Sequence, residues 1–143
     1  MNISFSDLKE INSKIKVSDT REEGYLELLG IDPEKLNPGL AMYHAYLKGK
    51  YYGLCYEEDK ELSYLEWAND QYDEIVTIAW KHGVKPKNPK YLFKRAYTKF
   101  LLSKVLVQKA SRKYFHQKAC QLTEAGLRYH ASNPSFHWLK GEL

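Results

Sequence analysis

A chain of 143 residues can bury about two thirds of its unfolded surface without disulfide or metal support, and with 43% hydrophobic and 28% charged residues it is far from a disordered composition. The net charge of +4 conceals a division: residues 1–83 hold 9 Lys+Arg against 16 Asp+Glu, a net of −7, whereas residues 84–143 hold 13 against 2, a net of +11. No apolar run approaches the roughly 20 residues needed to cross a bilayer, no signal-peptide pattern opens the chain, and the two cysteines, Cys55 and Cys120, form no CxxC pair.

These features lead us to expect one helical domain over residues 1–143, reduced thiols, no membrane partner and a cytoplasmic location. The charge division implies that one end meets an anionic partner or that the halves attract each other.

Residues 1–36 read as two short helices. Ser4 followed by Asp7 resembles a capping box, Ile3 and Leu8 are spaced as a hydrophobic staple, and Leu8, Ile11 and Ile15 form an apolar stripe. Thr20 followed by Glu23 predicts the next helix start, Leu26 and Leu29 its buried side, and Gly30 its end.

Residues 37–143 read as helical hairpins punctuated by Asn37-Pro38, Asn88-Pro89 and Asn133-Pro134, which stand 51 and 45 positions apart. Asn at an N-cap accepts a hydrogen bond from an orphan amide, and Pro in the first helical position needs no amide partner. After the first signal, Leu40, His44, Leu47, Tyr51 and Leu54 recur at helical spacing. A break is expected near the acidic run Glu57-Glu58-Asp59. The second stripe runs through Leu62, Leu65, Ala68, Tyr72, Ile75 and Ala79, and Lys81, His82 and Gly83 close it, Gly83 suiting a left-handed cap.

Phe93, Ala96, Phe100, Ser103 and Val107 predict the next helix, and Phe115, Ala119, Leu122, Ala125 and Tyr129 its partner. Residues 135–143 leave room for a terminal helix of about two turns. Trp67, Trp80 and Trp138 sit on or beside these stripes and are read as core.

The stretch from Asn37-Pro38 through Leu47, Gly49 and Tyr52, and that from Asn133-Pro134 through Trp138, Leu139 and Gly141, resemble the first helix of a tetratricopeptide-like repeat. Ala119, Leu122 and Ala125 resemble the packing positions of the second helix. The units exceed that family's period of about 34 residues, and residues 93–107 lack a glycine at the matching position. The expected fold is all-α: stacked antiparallel helical hairpins, about seven helices.

Signatures of chemistry are scarce. There is no GxxxxGK[ST] and no GxGxxG, no Ser or Cys sits in a glycine-flanked elbow, and Glu66, Asp70, Asp73 and Glu74 read as a solvated acidic face. His116 and Cys120 have the spacing that puts two ligands on one helical face, but two ligands do not make a zinc site. No catalytic residue, cofactor or metal is expected.

What the resemblance implies is an interaction adaptor or chaperone-like module, with the first helix of each hairpin facing a groove. By position, His44, Lys48, Lys94, Arg95, Tyr97 and Lys99 are the ligand-binding candidates, and their chemistry suits an acidic protein or peptide segment. The alternative is nucleic-acid binding by the basic C-terminal half. There, Lys90 and Lys94, Arg95 and Lys99, and Lys109 and Lys113 are i, i+4 pairs interleaved with Tyr91, Tyr97 and Tyr114.

Overall fold

A computed structural model describes residues 2–86 and 88–143. It is all-helical, with 82% of the chain in helix and no strand among the described residues. Among the described residues the seven helices, packed in adjacent pairs, are α1 (Phe5–Lys16), α2 (Arg21–Leu29), α3 (Pro38–Asp59), α4 (Leu62–Lys81), α5 (Pro89–Val105), α6 (Lys109–Tyr129) and α7 (Pro134–Glu142). Two 3₁₀ turns, Ser18–Thr20 and Pro33–Lys35, join α1 to α2 and α2 to α3. Among the described residues no helix is long and apolar enough to cross a membrane.

The chain divides into two compact units, residues 1–85 and 86–143. That boundary falls two residues beyond the point where the charge changes sign. The first unit holds 10 basic and 16 acidic residues, net −6, and the second holds 12 and 2, net +10.

Helix starts follow a simple chemical rule. Ser4, Asn37, Asn88 and Asn133 each accept an amide hydrogen bond through the side chain, capping α1, α3, α5 and α7. Proline follows in the first turn of the last three. The helices α2, α4 and α6 have no side-chain cap. Each follows a tight turn out of its partner, so tertiary packing substitutes for local capping.

Thr20 corrects one expectation. Its hydroxyl donates to the Lys14 carbonyl at 2.8 Å, so it closes the end of α1 and does not cap α2. The short Ser18–Thr20 turn puts that carbonyl within reach. At the other end of the unit, Gly83 adopts the left-handed conformation with φ +66°, as the closing signal of α4 requires.

In the first unit, α3 touches α1, α2 and α4. Its buried residues therefore surround it: Ala41, His44, Ala45, Tyr46, Leu47, Gly49, Tyr51 and Cys55. By contrast, α4 buries one stripe, Leu65, Ala68, Tyr72, Ile75 and Ala79. The two helices meet where Gly49 leaves space for the Tyr72 ring; a Cβ there would lie 2.6 Å from Tyr72 Cε1. Polar contacts fasten α1 and α2 to α3. The buried Arg21 donates to the Ile15 carbonyl at 2.8 Å and pairs with Glu58, Tyr51 donates to Glu22, and the Tyr25 and Tyr52 hydroxyls bond each other.

In the second unit, α5 and α6 form a hairpin on which α7 docks. Ala96, Phe100, Ala119 and Leu139 make the centre, with Phe93, Tyr97, Leu101, Leu122 and Leu143 packed against it. Gly126 is the counterpart of Gly49, because a Cβ there would collide with the ring of the fully buried Phe136. Fully burying side chains such as Phe136 and Leu139 contributes about 1.5–3 kcal/mol each, which lets a nine-residue helix hold its place.

The tryptophans require a second correction. Trp67 is 47% exposed, Trp138 49% and Trp80 80%. Successive helical residues turn by about 100°, so Trp67 lies one position before the buried Ala68, and Trp80 one after Ala79, both off the stripe. Val107 is a third. Instead of extending α5, which ends at Val105, it sits 89% exposed in the turn to α6.

Candidate functional site

Two of the six candidate ligand-binding residues line one groove. His44 and Lys48 of α3 border a space of about 410 Å³ with Gln71, Glu74, Ile78 and Lys81 of α4, His82 just after it, Pro33 and Glu34 of the preceding turn and Leu36 just after that turn. Ala41 and Ala45 keep its floor low. Cations and carboxylates share the rim. His44 is committed to the fold: it is 3% exposed, and its Nε2–H donates to the Leu28 carbonyl at 3.0 Å. Burial holds its imidazole below the ordinary value of 6.5, and the Lys48 ammonium adds to that, against the hydrogen bonds to Leu28 and Ile31.

The other four candidates belong to α5 in the second unit. Tyr97 is part of an aromatic stack, its ring centroid 5.6 Å from Phe93, 6.2 Å from Phe100 and 6.0 Å from Trp138. Lys99 is 6% exposed, and Lys94 and Arg95 are half-buried. All four have partners within the chain.

Among the described residues, exposed positive charge in this unit lies elsewhere, on Lys90, Lys104, Lys109, Lys113, Arg128 and Lys140, with Glu124 and Glu142 exposed as well. In sequence, Lys104 and Lys109 flank the exposed Val105 and Val107 at the turn from α5 to α6, and Lys113 follows one helical turn later. Arg112 fixes this turn by donating to the carbonyls of Leu106 at 2.9 Å and Val107 at 2.7 Å. The first turn of α6 has no acidic residue and no side-chain cap. Its cations therefore face the positive end of the helix dipole. One turn further, Tyr114 is 52% exposed, with Lys118 Nζ 5.6 Å from its ring centroid.

A third feature was not singled out from the sequence. Tyr52 of α3 and Trp67, Asp70 and Gln71 of α4 line a shallow, open notch of about 150 Å³. The two rings are 5.5 Å apart and inclined at 57°, and Tyr64 meets Trp67 edge-on at 5.8 Å and 81°. The signal available in the sequence was angular: Trp67 shares the exposed side of α4 with Glu66, Asp70 and Glu74.

Cys55 and Cys120 are free thiols, the first buried and the second partly so. Burial pushes the Cys55 thiol up, making it a poor nucleophile. Cys120 Sγ lies 3.9 Å from His116 Nδ1, and His116 Nε2 lies 3.3 Å from the Leu143 carbonyl oxygen. Among the described residues no group of three or more His, Cys, Asp or Glu side chains is placed to hold a metal ion. No protein-family model, curated protein or solved structure matches this chain.

Proposed function

We propose that this protein is an interaction module of helical hairpins, tetratricopeptide-like in plan, whose second unit docks an acidic protein segment. The observation that carries the reading is the coincidence of the charge boundary with the unit boundary, which leaves residues 86–143 with 12 basic and 2 acidic residues. Such a surface raises the encounter rate with an acidic partner.

The exposed Val105 and Val107 favour protein over nucleic acid. Aliphatic side chains offer bases no stacking face, yet they complement the apolar residues of an acidic amphipathic segment. An anionic partner would also relieve the cations crowded at the start of α6. The free cysteines suit a reducing compartment such as the cytoplasm.

Fluorescence anisotropy with an acidic, leucine-containing peptide and a single-stranded oligonucleotide of equal charge tests this reading. The peptide is expected to bind more tightly, and Val107→Ser should weaken it at least as much as Lys113→Glu, because a screened rim charge counts for less than a desolvated anchor. Preference for the oligonucleotide, with log affinity falling by about 0.7–0.9 per phosphate contact against log salt and no response to Val107→Ser, would replace this reading with nucleic-acid binding.

A further inference from the structure

We infer that the notch between Tyr52 and Trp67 is a binding site for a methylated ammonium group. It belongs to the acidic first unit and is independent of the basic surface proposed above. Cations are attracted to the faces of aromatic rings, Trp most strongly, and the attraction grows as water is excluded. The notch, about 150 Å³ and open to solvent, has two rings inclined at 57° in its lining, and its volume is enough for a compact ammonium head.

The rings are held in advance of any ligand. Tyr52 is fixed through its hydroxyl on Tyr25 and by edge contacts with Tyr25 at 5.6 Å and Tyr51 at 5.4 Å, while Tyr64 supports Trp67. Elsewhere in the chain Phe5, Tyr56, Phe100 and Tyr114 each carry a lysine over the ring, at 5.8, 5.2, 5.2 and 5.6 Å. Among the described residues no cation occupies the faces of Tyr52 or Trp67. Asp70, exposed beside them, has no hydrogen bond or ion pair with any described residue.

The chemistry of the lining selects the kind of cation. A primary ammonium brings three N–H donors that need acceptors, and the notch supplies one carboxylate and one amide beside its two rings. A methylated ammonium has fewer donors or none and is more weakly hydrated, so ring faces with a single carboxylate suit it better. Glu66 and Glu74, one turn to either side of Asp70, add negative potential without entering the notch.

Two sources could bring this group, a methylated lysine side chain or a free quaternary ammonium compound. Both are tested on the full chain by following the tryptophan indole N–H signals by NMR, with sodium chloride at equal ionic strength as control. Choline and a trimethyllysine peptide should shift the Trp67 signal saturably while leaving Trp80 and Trp138 unmoved, and the unmethylated peptide should bind more weakly than its methylated form. Tighter binding of the peptide than of choline would identify the side chain as the source, and the reverse the free compound. Asp70→Asn should weaken binding roughly two- to fivefold, and Tyr52→Leu at least about fivefold. Equal shifts of all three indoles, an equal response to sodium chloride, or no preference for the methylated peptide would overturn the inference. Because Asp70 is exposed and forms no hydrogen bond or ion pair with any described residue, its substitution keeps the test valid should Tyr52→Leu fail to fold.

Discussion

Gly49 and Gly53 stand one turn apart on α3, and the structure assigns opposite signs to the same substitution at the two positions. In a helix interior, alanine is ordinarily favoured over glycine by about 0.5–1 kcal/mol. At Gly53 nothing opposes that gain, since a new Cβ would meet only the Tyr72 hydroxyl at 3.9 Å. At Gly49 it would meet Tyr72 Cε1, Cδ1 and Cζ at 2.6, 2.7 and 2.9 Å, where carbon atoms prefer about 3.5–4.0 Å. Tyr72 is 2% exposed and packs against Tyr46 with ring centroids 6.0 Å apart, so its ring cannot retreat into solvent.

Overpacking of this kind costs about 1–3 kcal/mol. Set against the propensity gain, it leaves Gly49→Ala less stable by about 1 kcal/mol, and Gly53→Ala more stable by a similar or smaller amount. Urea denaturation followed by far-ultraviolet circular dichroism measures both. In a Tyr72→Leu background the penalty at Gly49 should shrink, because the clashing ring is gone. If Gly49→Ala raised the midpoint as Gly53→Ala does, the ring-on-glycine contact could not be what sets the register of α3 against α4.

Acid should weaken the fold through His44. Its folded-state pKa lies below 6.5, so the unfolded chain binds a proton that the native chain refuses; the contribution is fully present above pH 6.5 and is lost as pH falls toward the folded value. His44→Gln, which keeps a donor for the Leu28 carbonyl, should flatten the dependence of the urea midpoint on pH between about 7 and 5.5, and an unchanged slope would remove His44 as its source. Asn88→Ala should cost about 0.5–2 kcal/mol by leaving the Lys90 amide without its side-chain acceptor; an unaltered melting curve would contradict that capping role.

The three Asn-Pro starts were legible because capping is local: acceptor, proline and orphan amide lie within four residues. The division at Gly83 was legible because charge is additive along the chain. Reading the tryptophans as core failed for a geometric reason, since a large apolar side chain beside a buried stripe is still about 100° away from it. Val107 fitted the helical spacing, but the position of the turn depends on Arg112 reaching back to two carbonyls, which spacing does not encode. The notch depends on how α3 sits against α4. Tyr52 and Trp67 come from different helices, and the fit of Tyr72 over Gly49 helps to fix which α3 residue faces which α4 residue.

Places where a sequence acts against its own local stability often mark functional surfaces, because no packing gain explains them. Glu66, Asp70 and Glu74 follow one another at i, i+4 spacing, an arrangement of like charges that costs a helix roughly 0.2–0.5 kcal/mol per pair. Lys109 and Lys113 repeat the arrangement at the start of α6, where the helix dipole adds a penalty of about 0.3–1 kcal/mol for Lys109 in the first turn. Trp67 and Val107 leave apolar surface in water beside these charges. Elsewhere the same chain meets local requirements closely, with four capped helices and glycines under Tyr72 and Phe136. These two groups of like charge with an exposed apolar side chain beside them have opposite sign, one in each unit. A partner with the complementary charge would relieve the repulsion and cover the exposed apolar groups, so the same residues that lower the stability of the free chain would strengthen the complex.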